Sequence, residues 1–417
     1  MTCKTLKWEH PSNFLVSGDV LMKAVILAAG EGMRLRPLTV SEPKVMIPVA
    51  NRPVLEYVVD ALVKNDVREI VMVVGYRKER IMSHFEDGKK FGARIEYVVQ
   101  EKQLGNGHAL ACAKDRLSGE FMVLPGDNIV DRRAVGDLLR AGTCPSALVV
   151  ESDNPSKYGV VTIDKGTIKG VVEKPQDMIS NIILTGLYCL NDKIFDFIDS
   201  CIASGEYGLS NAVQASLGQH AVAPVFSDGL WIDAVYPWDL LEVNAAALEN
   251  MQVGTAGKLE SPVMISGPVG IGAETVIRSG TTIYGPVLIG EGCEIGPNVT
   301  ILPSTSIGNS VMIEPYTVVK NSILMSNCAI GAHSYLSHCV FGYGVKSQSH
   351  LMGSGAEAYV NIGDEFFKVP HMGSLVGEDT SFGTGVVIEP GTVVGAGCKV
   401  SSGAKITRNL PNRTLVT

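Results

Sequence analysis

The sequence contains no Cys-x-x-Cys pair, no excess of positive charge and no apolar run long enough to cross a bilayer. Each absence excludes a class of protein. Nine cysteines are scattered along 417 residues. That pattern fits neither a zinc module nor the disulfide framework of a small secreted domain, and it suits reduced thiols in a cytoplasm. A net charge of −8 does not suit generic nucleic-acid binding, which needs a basic surface. A protein that handles anionic substrates must then gather its cations locally. Residues 1–21 lack the basic start and apolar centre of a signal peptide. They precede Met22, which opens a strand-like run, so translation is expected to begin there. What is present is ample apolar content, 46% of the chain, enough for two or three domains with real cores.

The first 250 residues alternate short apolar runs with helical patterns. Strands are expected at Lys23–Ala28, 69–75, Arg94–Val99, 121–124 and 147–150. Val54, Leu55, Val58, Ala61 and Leu62 recur at helical spacing. Strands separated by helices predict a mainly parallel sheet with helices on both faces. Ligands of such sheets bind outside the carboxyl ends of the strands.

From residue 251 the texture changes. Ile265, Ile271, Ile277, Ile283, Ile289, Ile295, Ile301, Ile307, Ile313 and Val319 follow one another at a period of six. A second run reads Val376, Phe382, Ile388, Val394, Val400 and Ile406. Hexapeptide periodicity marks a parallel β-helix. Three hexads make one triangular coil, the aliphatic residue stacks inward, and glycine or a small residue takes the corner. Residues 341–375 break the period and read as an inserted loop. The expected organisation is an extension over 1–21, an α/β unit over 22–250 and a β-helix over 251–417.

Leu27-Ala28-Ala29-Gly30-Glu31-Gly32-Met33-Arg34-Leu35-Arg36-Pro37-Leu38-Thr39 follows the first strand, and Lys44 follows Pro43. Such a loop offers backbone N–H groups to an anion, and glycine permits close approach. The third glycine of a dinucleotide fingerprint is missing, because Leu35 stands in its place. No Walker lysine follows directly. Arg34 and Lys44 are the two cations that can neutralise a triphosphate.

This loop resembles the signature of sugar-1-phosphate nucleotidyltransferases, with Met33 where threonine is usual. The resemblance implies a Rossmann-like α/β domain followed by a left-handed β-helix. It also implies that Leu27, Ala28, Ala29, Gly30 and Gly32 bind nucleotide while Arg34 and Lys44 act in catalysis. Gln100-Glu101-Lys102-Gln103-Leu104-Gly105-Asn106-Gly107-His108-Ala109 is similar to the uracil-recognition loop of N-acetylglucosamine-1-phosphate uridylyltransferases. Gln100 would read the base edge, Gly105 would let the base approach the backbone, and Asn106 stands for the usual threonine. Asp127 and Asp233 match the family's two metal-binding aspartates and would share Mg²⁺, a hard ion that takes oxygen ligands. Gly159, Glu173, Lys174 and Thr185 match the sugar-binding segments. Leu184 ahead of Thr185 is more like glucose-1-phosphate thymidylyltransferases, so the base and sugar loops point to different substrates.

The implied reaction joins an NTP, UTP ahead of dTTP, to N-acetylglucosamine 1-phosphate or glucose 1-phosphate. Some relatives carry an acetyltransferase in the β-helix, with an H-x-x-Y segment. Here Ala332 occupies the histidine's place, His333 follows it and Tyr335 is kept. A bifunctional enzyme that also acetylates glucosamine 1-phosphate is therefore the alternative. A non-catalytic regulatory relative is a third reading, and intact Arg34, Lys44 and Asp127 speak against it. The expected partners are the two substrates and further copies of the chain, a trimer through the coil faces, with no nucleic acid and no membrane.

Overall fold

A computed structural model describes residues 22–417 apart from Asn250, Gln252 and Asp364. The extension over 1–21 and its expected start signal lie outside the described residues.

The parallel heart of the first half has four strands: β1 (Lys23–Ala28), β2 (Glu69–Val74), β3 (Arg94–Val99) and β4 (Glu120–Pro125). Their order is β4-β1-β2-β3. Alternation along β1 sends Ala24, Ile26 and Ala28 to one core and Val25 and Ala29 to the other. Helix α1 (Val54–Val63) covers the first face, and α2 (Asn106–Cys112) the second.

Beyond this heart the sheet is mixed. The short β5 (Asn128–Val130) pairs with β10 (Trp231–Asp233) apart from the main sheet. Strands β6 (Ser146–Glu151), β7 (Gly159–Asp164), β8 (Thr167–Glu173) and β9 (Ile182–Asn191) continue the main sheet. β9 lies antiparallel to β4, β6 and β7. The antiparallel strands carry the expected sugar-binding residues, so the parallel β1–β4 and the antiparallel strands meet over one cleft.

The second half is a stack of short parallel strands in three sheets of eight, nine and eight, a left-handed β-helix. Ile271 pairs with Ile289 and Ile289 with Ile307. Ile277, Ile283, Ile295 and Ile301 fill the same dry column. The next turns are one residue shorter: Ile307 pairs with Leu324, and Leu324 with Phe341. The missing residue falls ahead of the corners at Asn321 and His338, both of which have positive φ. Hence the hexad pattern lapses in the sequence after Val319 although the coil continues through Leu324, Ile330, Leu336 and Phe341, all buried in the column. The insertion expected over 341–375 is correspondingly narrower and is no loop. It is an antiparallel hairpin, Ala356–Ile362 with Glu365–Met372. Lys346–Ser347 and Met352–Gly353 remain in the coil.

The halves share a core. Leu240, Leu241 and Leu248 of the helix Asp239–Glu249 pack with Ile323, Val340 and Leu375 of the β-helix. Within that seam, buried Asn244 accepts from Ala50 N at 2.9 Å and from Ser306 Oγ at 2.7 Å, and donates to Ser304 O at 3.1 Å. A buried amide satisfied on this scale ties the two halves in one register. Among the described residues no helix is long and apolar enough to cross a membrane.

Candidate active site

The carboxyl ends of β1 and β4, the segment after β3 and the ends of β7 and β8 open into a cleft of about 920 Å³. Of the expected site residues, Leu27, Ala29, Gly30, Gly32, Arg34, Lys44, Gln100, Gly105, Asn106, Asp127, Gly159, Glu173, Lys174, Thr185 and Asp233 line it. Ala28 does not. It is the last residue of β1 and its methyl turns into the core beneath.

Lys44 is the electrostatic centre. Its Nζ lies 2.6 Å from Asp127 Oδ2 and 3.3 Å from Asp233 Oδ1. Asp127 follows β4 and Asp233 ends β10, so three distant segments meet on one ammonium. Gly32 makes room for it. This residue has φ +75°, and a Cβ here would lie 2.5 Å from Lys44 Cβ. Burial works against the Lys44 ammonium, but the two carboxylates outweigh it and hold its pKa above the ordinary lysine value. Burial pushes Asp233 up to about 6, with Lys44 pulling the other way. Two carboxylates against one buried lysine leave a net negative site. Next to it, buried Asn128 has an Oδ1 with no hydrogen-bond partner, and Asn128 also lines the cleft. Hard oxygen donors and an orphan amide oxygen fit a hard divalent cation.

Arg34 is exposed at the lip and lies over the ring of Tyr236 at 5.6 Å. Lys157 approaches the same ring at 5.5 Å. Tyr236 stacks on Trp238 at 4.7 Å and meets Phe367 at 4.6 Å. Phe367 belongs to the hairpin inserted in the β-helix, so the second half buttresses the ring beneath Arg34. The turn that presents Tyr236 is held by Asp239, whose Oδ2 accepts from Val235 N at 3.0 Å and Tyr236 N at 2.8 Å.

Several expected ligands are committed to the protein itself. Gln100 Nε2 donates to Gly105 O at 3.1 Å and meets His108 Nδ1 at 2.8 Å. His108 therefore secures Gln100. The place where a Gly105 Cβ would go lies 2.5 Å from Tyr207 O, so this glycine lets the Tyr207 segment approach. Asn106 Oδ1 accepts from Leu209 N at 2.7 Å, at the start of the helix Leu209–Ser216. Thr185 is buried, with Oγ1 donating to Leu148 O at 2.8 Å and accepting from Leu187 N at 3.2 Å. Its hydroxyl spans an irregularity in the β9 ladder. Glu173 and Gly159 face each other across β8 and β7, and Glu173 Oε2 lies 3.2 Å from where a Gly159 Cβ would sit. Lys174 follows with a positive φ of 45°, its N–H donating to Tyr158 O at 2.9 Å.

Sequence reasoning did not single out Gln103, Lys157, Asn211 or Trp231, all of which line the cleft. Lys157 was within reach, since it directly precedes Tyr158-Gly159. Trp231 donates Nε1 to Thr185 O at 3.1 Å, a long-range contact with no local signal. In the β-helix, His333 lies on a corner with φ 57° and not on a strand face. It stacks between Tyr316 at 5.0 Å and His350 at 5.2 Å.

A family model described as nucleotidyl transferase matches residues 23–250, and one described as the GMPPB C-terminal domain matches residues 283–365. A Methanococcus maripaludis protein named bifunctional protein GlmU is 32% identical over 406 residues, covering 95% of this chain and 97% of the relative. A Sulfurisphaera tokodaii bifunctional sugar-1-phosphate nucleotidylyltransferase/acetyltransferase is 32% identical over 404 residues, 93% of this chain and 98% of the relative. A solved Bacillus anthracis structure, described as a glucose-1-phosphate thymidylyltransferase in complex with a sucrose, is 29% identical. It superposes with a TM-score of 0.52 over 56% of this chain and 98% of its own.

Proposed function

The chain belongs to the nucleotidyl transferase family, and from that premise we propose that its cleft joins an NTP to a sugar 1-phosphate and releases pyrophosphate. The observation that carries this reading is the meeting of Asp127 and Asp233 on Lys44, in one cleft with Arg34 and Lys174. UTP is favoured and dTTP comes second, because the 100–109 segment is uridylyl-like while Leu184 is thymidylyl-like. The sugar is N-acetylglucosamine 1-phosphate or glucose 1-phosphate.

A sugar-phosphate oxygen bonds to the α-phosphorus as the bond to the bridging oxygen breaks, and pyrophosphate takes that electron pair. The nucleophile is already an anion at neutral pH, so no general base is required. Positioning and charge neutralisation then supply the catalysis. Backbone N–H groups of Gly30–Gly32 cradle the triphosphate, Arg34 neutralises the departing pyrophosphate, and Gln100 borders the base pocket. Glu173 accepts from sugar hydroxyls over the floor left open by Gly159, and Lys174 holds the sugar phosphate. Asp127 and Asp233 would hold Mg²⁺ beside Asn128 Oδ1, and the ion would supply charge neutralisation at the reacting phosphates. Thr185 shapes the strand end, and Asn106 holds the helix start beside the cleft. A panel of NTPs against sugar 1-phosphates, read as pyrophosphate release, tests this. Turnover with UTP and one of the two sugars is expected; inactivity with every pair would overturn it.

A second reading is favoured by the names of the relatives, which match both halves and are called bifunctional. The last coils also carry a shallow cleft of about 390 Å³ with Lys346 and Lys399, a place for an anionic cosubstrate. Thiol release from acetyl-CoA with glucosamine 1-phosphate tests acetyl transfer. We place the protein in the cytoplasm as a homotrimer through its coil faces, since homo-oligomers are generally closed and symmetric. A monomeric mass in light scattering would contradict the trimer.

A further inference from the structure

At the end of the sheet away from the cleft, three side chains with metal-ligating atoms converge. Glu120 opens β4, Cys144 lies just ahead of β6, and Cys189 sits near the end of β9. One ligand atom from each lies within 4.8 Å of the other two. The strand register explains the meeting. Cys189 stands opposite Met122 on β4 and opposite Ser146 on β6. Two-residue alternation puts Glu120 on the face of Met122, which is the face of Cys189. Cys144 arrives from the adjoining turn, and its Sγ lies within 4.8 Å of Cys189 Sγ.

A second, independent observation points to the same spot. Ser146 is fully buried, and its Oγ has no hydrogen-bond partner. Buried hydroxyls are normally paired. Ser146 is the residue directly across the ladder from Cys189, and cross-strand partners share a face.

We propose that Glu120, Cys144 and Cys189 bind one borderline-soft divalent cation of the zinc class, with the Ser146 hydroxyl directed at the ion or its bound water. Two thiolates and a carboxylate select such an ion over magnesium. Three protein ligands leave a fourth tetrahedral position for water. Exposed Glu120 gives entry, and buried Cys189 supplies the deep ligand. Both thiols release their protons to solvent on binding, and nothing is oxidised or reduced. The ion would clamp β4, β9 and the start of β6, where the parallel and antiparallel parts of the sheet join. The molecule then separates its cations by donor chemistry, hard oxygen in the cleft and thiolate at the opposite end. The proposal is independent of the reaction assigned to the cleft.

The full chain, reduced and stripped with a chelator, is titrated with Co²⁺ alone. Thiolate-to-cobalt charge transfer in the near ultraviolet and intense tetrahedral d–d bands are expected, saturating at a single equivalent and reversed by Zn²⁺. Cobalt in the cleft binds through oxygen and gives no thiolate band. Cys144→Ser, at a half-exposed position, is expected to abolish the band. Glu120→Gln is expected to weaken Co²⁺ binding about tenfold or more. Pyrophosphate release is expected to be unchanged in both variants. No charge-transfer band in a chain whose thiols react as free, a band that survives Cys144→Ser, or a Cys144–Cys189 disulfide in the protein as purified would overturn the proposal.

Discussion

The two halves of the molecule use glycine for opposite purposes. In the cleft, Gly32 takes φ +75° so that one particular lysine can pass within reach of two particular carboxylates. In the β-helix, Gly290 keeps a corner small because Gly308 of the next coil lies against it, with a would-be Cβ 2.7 Å from the Gly308 carbonyl carbon. The first use is singular and gathers charge; the second is repeated and excludes volume. A periodic structure spends its side chains on stacking like on like, so each coil depends on its neighbours. An aperiodic sheet frees its strand ends to differ, and chemistry collects there.

That contrast is open to direct attack. The largest effect is expected from Arg34→Ala. It should lower kcat by about 10²–10³-fold while the thermal midpoint stays put, because Arg34 is exposed and fills no core. Unaltered turnover would remove Arg34 from the site. Ile301→Ala should do the reverse. Losing a fully buried column residue costs about 3 kcal/mol, seen as a lower denaturant midpoint, with kcat retained in the folded protein.

The contrast sharpens at the seam, where the halves touch. Phe367→Ala removes the β-helix support beneath Tyr236 and Arg34. A fall in kcat/KM of about fivefold is expected, given that an aromatic pair contributes about 1 kcal/mol, and Phe367→Trp should restore it. An unchanged kcat/KM in Phe367→Ala would make the hairpin irrelevant to the cleft. The smallest effect belongs to Asn106→Ala. Losing its bond to Leu209 N should cost about 1 kcal/mol of stability with the preference among NTPs unchanged; a shifted preference would return Asn106 to the nucleotide pocket.

The same contrast governs what could be read from the sequence. The column from Ile265 to Val319 is written in the hexad period, because one inward position recurs on every face. The period fails at Asn321 and His338, where one residue is lost ahead of the corner and the phase slips while the wall continues. In the sheet, Asp127, Asp233 and Lys44 were legible as motifs, and the fold brings the two carboxylates onto one ammonium. Thr185 and Asn106 show what a motif cannot convey. Both line the cleft, yet hydroxyl and amide are spent on Leu148, Leu187 and Leu209, partners far away in the chain or fixed by strand register. Lys157 carries a charge to the cleft from the position directly ahead of Tyr158-Gly159, where adjacency to that segment was its one signal. Cys144 and Cys189 looked scattered for the same reason, as antiparallel pairing brings them together across 45 positions of the numbering.

The central claim is that Asp127, Asp233 and Lys44 form the chemical centre of a nucleotidyl transfer cleft. It is tested most directly by following UTP and N-acetylglucosamine 1-phosphate, and UTP and glucose 1-phosphate, with magnesium, in the intact chain and in Asp127→Ala side by side. The account predicts that pyrophosphate and UDP-sugar appear in equal amounts with at least one sugar in the intact chain, and that both products vanish together in the variant. Equal turnover in Asp127→Ala, or release of inorganic phosphate in place of pyrophosphate, would contradict it.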